Sequence, residues 1–303
     1  AAELTAELAG NPEKPASVVA QLCEEDAADT GDDRRPLVAA VEAQSATVLV
    51  LSGPAQADER IVDQAAVLHE TGVRVRTQSL FYEEWLGKIP VADLGRVSLF
   101  FDIGEVHRIQ FGRAKRIVDV AAGAIGVVAL VFAIPVVAVG NLVANRGPLF
   151  YAQDRVGRGG VVIRILKFRS MRNDAAAPTD WTSEDDPRIT AFGRVLRKSH
   201  VDELPQVWNI LRGDLSLVGP RPEQPRYVAE LVEKLPFYDM RHMVRPGLTG
   251  WAQVKYGYAG DERDALEKLQ YDFHYLRRQS LGFDLKIVGR TTRSVLGIEG
   301  QGR

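Results

Sequence analysis

The feature of this sequence that most restricts its fold is an uncharged run of 25 residues, from Val120 to Ala144. A helix needs about 20 apolar residues to cross the hydrocarbon core of a bilayer, so the run is long enough for a crossing. Uncharged stretches of this length are rare in soluble domains, and a buried helix of a soluble core is the alternative that we weigh against it. The run therefore predicts a helix that enters a membrane.

Two features of the run argue against a simple transmembrane span. Pro135 interrupts it, and proline removes a backbone donor from a helix interior. Both flanks are basic, through Arg113, Lys115 and Arg116 before the run and Arg146, Arg155, Arg158 and Arg164 after it. The positive-inside rule places basic flanks in the cytoplasm. We therefore predict a re-entrant hairpin over residues 117–145 that bends at Pro135 and returns to the same face.

The chain of 303 residues has an acidic front and a basic back. Residues 1–111 contain 9 Lys and Arg against 19 Asp and Glu, and residues 112–303 contain 29 against 21. A basic module suits phosphate groups or anionic lipid. Nucleic acid suits the same charge, but no known nucleic-acid motif is present, and we expect no such partner. Cys23 is the only cysteine, which excludes an intrachain disulfide and fits a reducing, cytoplasmic compartment.

The predicted fold class is mixed α/β and α+β. Residues 1–45 are rich in Ala, Glu and Asp and predict an acidic linker or poorly ordered segment with one or two short helices at most. Residues 46–110 show a strand–helix–strand pattern that predicts a partial Rossmann-like module. Its first turn lacks GxGxxG, so we assign it a structural or regulatory role. Residues 111–303 then supply the re-entrant helix and a compact α+β domain that ends in amphipathic helices.

An acidic pair, Asp202 and Glu203, precedes apolar residues at helical spacing, namely Leu204, Val207, Trp208 and Leu211. Ser199 stands three residues before Asp202, as in a capping box, and Pro205 suits a first helical turn. The pair is therefore predicted at a helix N-terminus, where the helix dipole favours ionised carboxylates. An ionised carboxylate is what a nucleophile or a metal ligand requires. An ordinary helix cap is the alternative interpretation.

Basic residues on stiff backbone accompany this pair. Arg221 and Arg245 lie in proline-containing loops, which suits guanidinium groups that hold a phosphate, and structural ion pairs are the alternative. Residues 151–171 predict a β-hairpin whose second strand places Lys167 and Arg169 on one face. Surface charge is the alternative interpretation of these two residues.

Three ordered blocks resemble the bacterial sugar transferase family. They are KFRSM at 167–171, DELPQVWNILRGDLSLVGPRPE at 202–223 and RPGLTGWAQV at 245–254. The family comprises monotopic polyprenyl-phosphate phosphoglycosyl transferases, which start exopolysaccharide and O-antigen repeat units. Residues 79–94 are similar to the linker of its large members, which carry a further module and several membrane helices ahead of the catalytic domain. The resemblance implies that this chain is the C-terminal part of a large, exopolysaccharide-type member.

The resemblance also implies a reaction. A sugar-1-phosphate, with glucose as the first choice, passes from a UDP-sugar to undecaprenyl phosphate, and UMP is released. Asp202 would be the nucleophile of a phosphosugar-aspartyl intermediate and the ligand of Mg²⁺, an ion that takes one or two carboxylates together with phosphate oxygens. Glu203 would position or deprotonate the incoming group or assist the metal. The expected substrate-binding residues are Lys167, Arg169, Arg197, Arg221 and Arg245.

The expected partners are the UDP-sugar, undecaprenyl phosphate and membrane lipid, with a homodimer left open. We expect the protein to be located in the bacterial inner membrane, with its catalytic domain on the cytoplasmic face. The alternative donors are UDP-galactose and a UDP-N-acetylhexosamine. The alternative functions are a non-catalytic subunit of polysaccharide assembly and a soluble nucleotide-sugar-binding protein. Residues 261–278 predict an amphipathic helix, and Lys286, Arg290 and Arg293 share a face that suits an anionic membrane surface or packing on the catalytic domain.

Overall fold

The computed structural model describes residues 2–11, 13–28, 35–91, 105–172, 186, 188–256 and 262–295. The chain divides into two compact units, residues 1–94 and 95–303. The described residues form a mixed α/β structure that is mostly helical and contains three two-stranded sheets. The predicted domain boundaries after residues 45 and 110 stay predictions.

The first unit is built on a two-stranded parallel sheet. Strands β1 (Val48–Leu51) and β2 (Arg74–Thr77) pair in parallel, and helix α4 (Glu59–Glu70) connects them. The predicted strand–helix–strand order is confirmed. The remaining helices of this unit are α1 (Ala2–Gly10), α2 (Glu24–Ala28), α3 (Pro36–Gln44) and α5 (Gln78–Phe81), which continues into a π-helical turn at Tyr82–Leu86.

The segment 1–45 contains more structure than its composition predicts. Three helices, α1 to α3, stand where we expect a linker. Leu37 and Val41 of α3 are buried in one cluster with Leu68 of α4. The Gln64 side chain accepts a hydrogen bond from the Leu37 backbone and donates one to Ala27. Helices α2 and α3 pack here because α4 offers them an apolar face and a buried amide, which the composition of the segment alone does not reveal.

The second unit begins with helix α6 (Glu105–Ala144), which is continuous through Pro135. This corrects the predicted hairpin, which required two arms joined by a bend. The physical reason is that residues on both sides of Pro135 pack on the same unit, since Asp119 and Val137 are both buried. A turn at the proline would remove one arm from that contact.

One face of α6 packs on the unit and the other face is exposed. Glycines bring the packed face close to its neighbours, since a Cβ added at Gly126 would lie 2.5 Å from Val207, and one at Gly140 would lie 2.2 Å from Phe192. The opposite face carries large apolar side chains that are each at least 65% exposed, namely Ile125, Phe132, Val136, Val139, Leu142 and Val143. Residues 111–144 are long and apolar enough to cross a membrane.

The predicted β-hairpin follows and is confirmed. Strands β3 (Phe150–Val156) and β4 (Val162–Phe168) pair antiparallel, with Tyr151 opposite Lys167. A second, parallel pair forms between β5 (Ser216–Val218) and β6 (Gly247–Thr249). The remaining helices are α7 (Ala191–Lys198), α8 (Val207–Arg212), α9 (Pro225–Lys234), α10 (Trp251–Tyr256), α11 (Glu262–Arg277) and α12 (Leu281–Val295).

The C-terminal helix α12 packs on the second unit. Ile287 is fully buried in a cluster with Val218 and Trp251. Lys286 and Arg290 lie over the Trp251 ring, with 5.6 and 5.3 Å between the charged group and the ring centre. Of the two predicted roles for this helix, packing on the catalytic domain is the one that the contacts support. Its contact with a membrane surface stays a prediction.

Glycines allow the segments around β5 and β6 to meet backbone to backbone. A Cβ on Gly247 would lie 2.1 Å from the backbone nitrogen of Gly219, and one on Gly250 would lie 2.2 Å from the Gly219 carbonyl oxygen. This contact sets the loop that carries Arg221 beside the loop that carries Arg245.

We expect Gly247→Ala to destabilise the protein by about 1–3 kcal/mol, because the added methyl group meets backbone that cannot move aside. Gly289→Ala is the matched control, since a Cβ at Gly289 in α12 meets nothing within 4 Å. Thermal unfolding in detergent measures both variants. Equal unfolding temperatures for the two variants would contradict the close backbone contact.

Candidate active site

The acidic pair lies in a short 3-10 helix, Val201–Gln206, between α7 and α8. Both carboxylates are in its first turn, as predicted for a helix N-terminus. Ser199 is not its cap, which corrects the predicted capping box. The Ser199 hydroxyl donates to the Val195 carbonyl instead, because the chain at that point is still leaving α7. His200, at φ 54°, makes the turn between the two helices.

Glu203 is held by two cations. Its Oε1 atom lies 2.6 Å from the Lys167 ammonium and 3.4 Å from the Arg221 guanidinium. Lys167 comes from the end of β4, and Arg221 comes from the loop after β5. The carboxylate therefore joins three separate segments of the chain, and it draws together two of the cations that we predict as phosphate ligands.

The two adjacent carboxyl groups have opposite pKa shifts. Burial raises the pKa of Asp202 above its usual value, and the positive charges of Lys167 and Arg197 only partly oppose this. Burial alone would also raise the pKa of Glu203, but Arg221 and Lys167 lower it to about 2. Burial lowers the pKa of Lys167, and the charge of Glu203 opposes that shift. The two members of the acidic pair therefore differ, since Glu203 is the more firmly ionised one.

Arg197 approaches the pair from α7. Its Nε donates to the Ser170 hydroxyl at 3.1 Å, and its Nη2 lies 3.0 Å from the Met171 sulfur. Gly193 makes this approach possible, because a Cβ there would lie 1.8 Å from the Ser170 carbonyl oxygen. Its charge therefore faces Asp202 while its side chain is fixed to the KFRSM segment.

Two of the predicted phosphate ligands are not brought into contact with the acidic pair. Arg169 donates to the Pro148 carbonyl at 2.8 Å and lies over the Tyr151 ring. Arg245 is half-buried, and its side chain forms no ion pair with a carboxylate of the described residues. The structure thus gathers Lys167, Arg197 and Arg221 around the pair, and the phosphate roles of all five basic residues stay predictions.

Two further arginines support the site, and sequence reasoning did not single them out for it. Arg155 donates to the Pro222 carbonyl at 3.1 Å, and Arg241 donates to the Arg221 carbonyl at 3.0 Å. Arg241 is buried and is itself fixed by Asp272 at 2.8 Å. Together they brace the loop that presents Arg221. No local pattern identifies them, because their partners lie far away in the sequence.

The sequence matches a known family. A family model described as bacterial sugar transferase covers residues 110–297. The chain belongs to the bacterial sugar transferase family. The matched range contains residues 110–144 of α6 and every residue of the site described above.

Curated relatives carry related names. A protein of Aeromonas hydrophila, named UDP-N-acetylgalactosamine-undecaprenyl-phosphate N-acetylgalactosaminephosphotransferase, is 43% identical over 70% of this chain and 53% of its own length. A UDP-glucose:undecaprenyl-phosphate glucose-1-phosphate transferase of Xanthomonas campestris pv. campestris is 38% identical over 71% of this chain and 44% of its own length. A protein of the same name from Caulobacter vibrioides is 38% identical over 64% of this chain and 73% of its own length. The chain spans about half the length of the first two relatives.

The carboxylates of the site suit the magnesium ion that the family resemblance implies, provided that the substrate supplies most of its ligands. Within the described part of the chain, no three His, Cys, Asp or Glu side chains cluster as a metal site. Glu203 is engaged by two cations, whereas Asp202 forms no ion pair with any described residue. Mg²⁺ is commonly bound by one or two carboxylates together with phosphate oxygens and water. Asp202 fits such a site as its single protein ligand.

We expect Asp202→Asn to raise the unfolding temperature at neutral pH. The pKa of Asp202 is higher in the folded protein than in the unfolded chain. The group therefore contributes stability at a pH below its ordinary pKa, and this contribution is lost as the pH rises through the folded-state pKa. The amide removes the cost of a buried charge, so the gain shrinks as the pH falls towards 4. Each kcal/mol shifts the midpoint by roughly 2–4 °C.

We expect the opposite sign for Glu203→Gln. The pKa of Glu203, lowered from 4.5 to about 2, contributes stability above the usual Glu range and loses it as the pH falls through about 2. A shift of this size corresponds to on the order of 3 kcal/mol, and the amide also leaves Lys167 buried without its carboxylate. Thermal unfolding between pH 4 and 8 compares both variants with the parent, and shifts of the same sign at pH 7 would contradict the assigned charges.

Proposed function

We propose that this protein transfers a sugar-1-phosphate from a UDP-sugar to undecaprenyl phosphate and releases UMP. The observation that carries the proposal is the arrangement of its two carboxyl groups. Asp202 is buried and forms no ion pair with a described residue, while its neighbour Glu203 holds two cations where a diphosphate would enter. The names of the relatives supply the substrate classes.

The chemistry proceeds as two phosphoryl transfers. An Asp202 carboxylate oxygen attacks the sugar-bearing phosphorus of the UDP-sugar, and the bond to UMP breaks, so that UMP leaves with the electron pair. The product is a phosphosugar-aspartyl intermediate. An oxygen of the lipid phosphate then attacks the same phosphorus, and the aspartate leaves as a carboxylate. One phosphoanhydride is exchanged for another, so the overall reaction is close to thermoneutral.

The basic residues of the site suit this reaction. Lys167 and Arg221 are already oriented by Glu203, and the incoming phosphate oxygens replace part of that contact. Arg197 lies on the Asp202 side, where its charge favours the ionised nucleophile. Preorganised cations stabilise the charge of a transferring phosphoryl group without further rearrangement. Of the roles predicted for Glu203, its two ion pairs favour positioning over proton transfer.

A bound Mg²⁺ supplies charge neutralisation on the diphosphate. Asp202 is the residue that would hold it, together with substrate oxygens. Lys167, Arg197 and Arg221 provide the remaining positive charge from the chain itself.

The membrane placement follows from α6. Near the start of the helix, Arg116 donates to the Ile210 carbonyl at 2.6 Å, and just past its end Asn145 donates to the Arg169 carbonyl at 2.8 Å. Both flanks of the uncharged run are thus fixed to the same catalytic unit, so we propose that both lie on the cytoplasmic side of the inner membrane. The exposed apolar face of α6 then contacts the bilayer from that side.

The donor sugar is proposed from the relatives. Glucose is our first choice, and the names of the Xanthomonas and Caulobacter relatives include it. The Aeromonas relative, with higher identity, is named for N-acetylgalactosamine. A non-catalytic assembly subunit is the rival function. It gives no reason for an acidic pair in which Glu203 is held by two cations and Asp202 by none in the described part of the chain.

The first test is turnover with Mg²⁺, undecaprenyl phosphate and a panel of UDP-glucose, UDP-galactose, UDP-N-acetylglucosamine and UDP-N-acetylgalactosamine. We expect UMP release with one donor and a loss of at least about 10³-fold in Asp202→Asn, because the amide cannot form the acyl phosphate. Mass spectrometry should detect a sugar-phosphate adduct on Asp202 when the lipid is withheld. Asp58→Asn, in the first unit, is the control. UMP release that survives in Asp202→Asn would move the nucleophile elsewhere, and no release with any donor would favour the assembly subunit.

The second test concerns the exposed face of α6. We expect the double variant Phe132→Asp and Val139→Asp to leave the membrane fraction, because each charge costs about 2.5–3.5 kcal/mol in the centre of a bilayer helix. Val62→Asp, at an exposed apolar position of the first unit, is the control that should remain with the membrane. Carbonate extraction followed by sedimentation measures both. Retention of the double variant with the membrane would contradict insertion of this face.

A further inference from the structure

A buried amide on α8 connects the two segments whose side chains meet at Glu203. Asn209 is 1% exposed. Its Nδ2 donates to the Arg164 carbonyl at 2.8 Å, and its Oδ1 accepts from the Leu166 backbone N–H at 3.0 Å. These two backbone groups flank Ile165 in β4. The side chain thus bonds to the open edge of β4 in the manner of a neighbouring strand.

The amide has little freedom to rotate. Its Nδ2 also lies 3.3 Å from the Asp214 carboxylate, which fixes which end of the amide is the donor. The backbone carbonyl of Asn209 accepts from Gly213, Asp214 and Leu215 at 3.0 to 3.2 Å. Asn209 is therefore fixed by the turn after α8, and β4 in turn is fixed by Asn209.

The residue after Leu166 is Lys167, whose ammonium lies 2.6 Å from Glu203. Glu203 stands in the 3-10 helix that runs directly into α8. The two partners of this ion pair therefore lie on segments that Asn209 joins. We propose that Asn209 is a positioning residue that sets Lys167 against Glu203, so that the ammonium meets the diphosphate at the correct place. This inference rests on the proposed phosphoglycosyl transfer at the same site.

The physical argument concerns the backbone of β4. Without the amide, a partly buried N–H and a partly buried carbonyl lose their partners, which is unfavourable for both groups. The strand end relieves this cost by moving towards other partners or water, and Lys167 moves with it. A displacement of about 1 Å in a positioning group lowers a rate by about 10²-fold. Asn209 forms no hydrogen bond with Asp202 or Glu203, so the proposal has it act through Lys167.

A double-mutant cycle tests this route. UMP release is measured for the parent, Asn209→Ala, Lys167→Met and the double variant in detergent with Mg²⁺, UDP-sugar and undecaprenyl phosphate. We expect Asn209→Ala to lower kcat by about 10²-fold in the parent, and by less than about threefold in the Lys167→Met background. An equal loss in both backgrounds would show that Asn209 does not act through Lys167, and would overturn the proposal.

Asn141→Ala is the matched control. Asn141 is also buried and donates one side-chain hydrogen bond, to the Gly147 carbonyl at 2.7 Å, in the same unit but at the end of α6. It is expected to lower the unfolding temperature while its effect on kcat stays below about threefold. A general loss of stability would reduce turnover in both asparagine variants, and that result would also count against the proposal.

A second readout does not depend on turnover. Acetylation of lysines by a water-soluble reagent, followed by peptide mass spectrometry, reports how freely the Lys167 ammonium reacts. We expect faster labelling of Lys167 in Asn209→Ala and the parent rate in Asn141→Ala. Parent-like labelling in Asn209→Ala would refute the positioning role. If the parent released no UMP with any donor, the proposed function would fail, and the labelling would still decide the role of Asn209.

Asn209→Asp is the fallback if Asn209→Ala does not fold. The carboxylate has the same shape and still accepts from Leu166, but it cannot donate to the Arg164 carbonyl. We expect faster labelling of Lys167 in this variant as well, and a parent-like rate would contradict the proposal.

Discussion

The site depends on the carboxylate of Glu203, which binds Lys167 and Arg221 at the same time. Two cations held near one point repel each other, and the carboxylate offsets that repulsion before substrate arrives. It also decides where three segments meet, because β4, the 3-10 helix and the loop after β5 each contribute one member. In the proposed function, an entering phosphate exchanges with Glu203 for the same two cations, which these ion pairs already hold together.

Asp202 carries the opposite electrostatic character, although it is the next residue. Burial raises its pKa, while two cations lower the pKa of Glu203 to about 2. Neighbouring groups whose pKa values are pushed apart take different roles. This character suits the proposed nucleophile, because a poorly solvated carboxylate attacks more readily than a hydrated one and loses its full negative charge when the bond to phosphorus forms. The position is costly for stability, which is common where a residue serves a reaction rather than the fold.

Local patterns predicted much of this arrangement, and distant contacts supplied the rest. Strand alternation placed Lys167 on a hairpin, and the acidic pair at a helical start was read from its spacing. Ser199 failed as a cap because the preceding helix, invisible to the capping pattern, already engages its hydroxyl. Trp208 matched the apolar spacing of α8 but is 52% exposed, since α6 covers only one side of that short helix. The brace from Arg241 to Arg221 joins residues 20 positions apart, and no local signal reports it.

Helix α6 shows why a long apolar helix could be predicted from the sequence and its shape could not. The run is apolar on every side, so periodicity cannot distinguish the face that packs on the catalytic unit from the face that remains exposed. The glycines carry that information, because Gly123, Gly126 and Gly140 stand where neighbouring side chains approach most closely. Helix α6 packs against α8 on one face and exposes an apolar surface on the other, so it forms a wall of the catalytic unit. The acidic pair lies one short helix away from that wall, so in the proposed function the nucleophile is held at a fixed distance from the apolar surface that would face the lipid substrate.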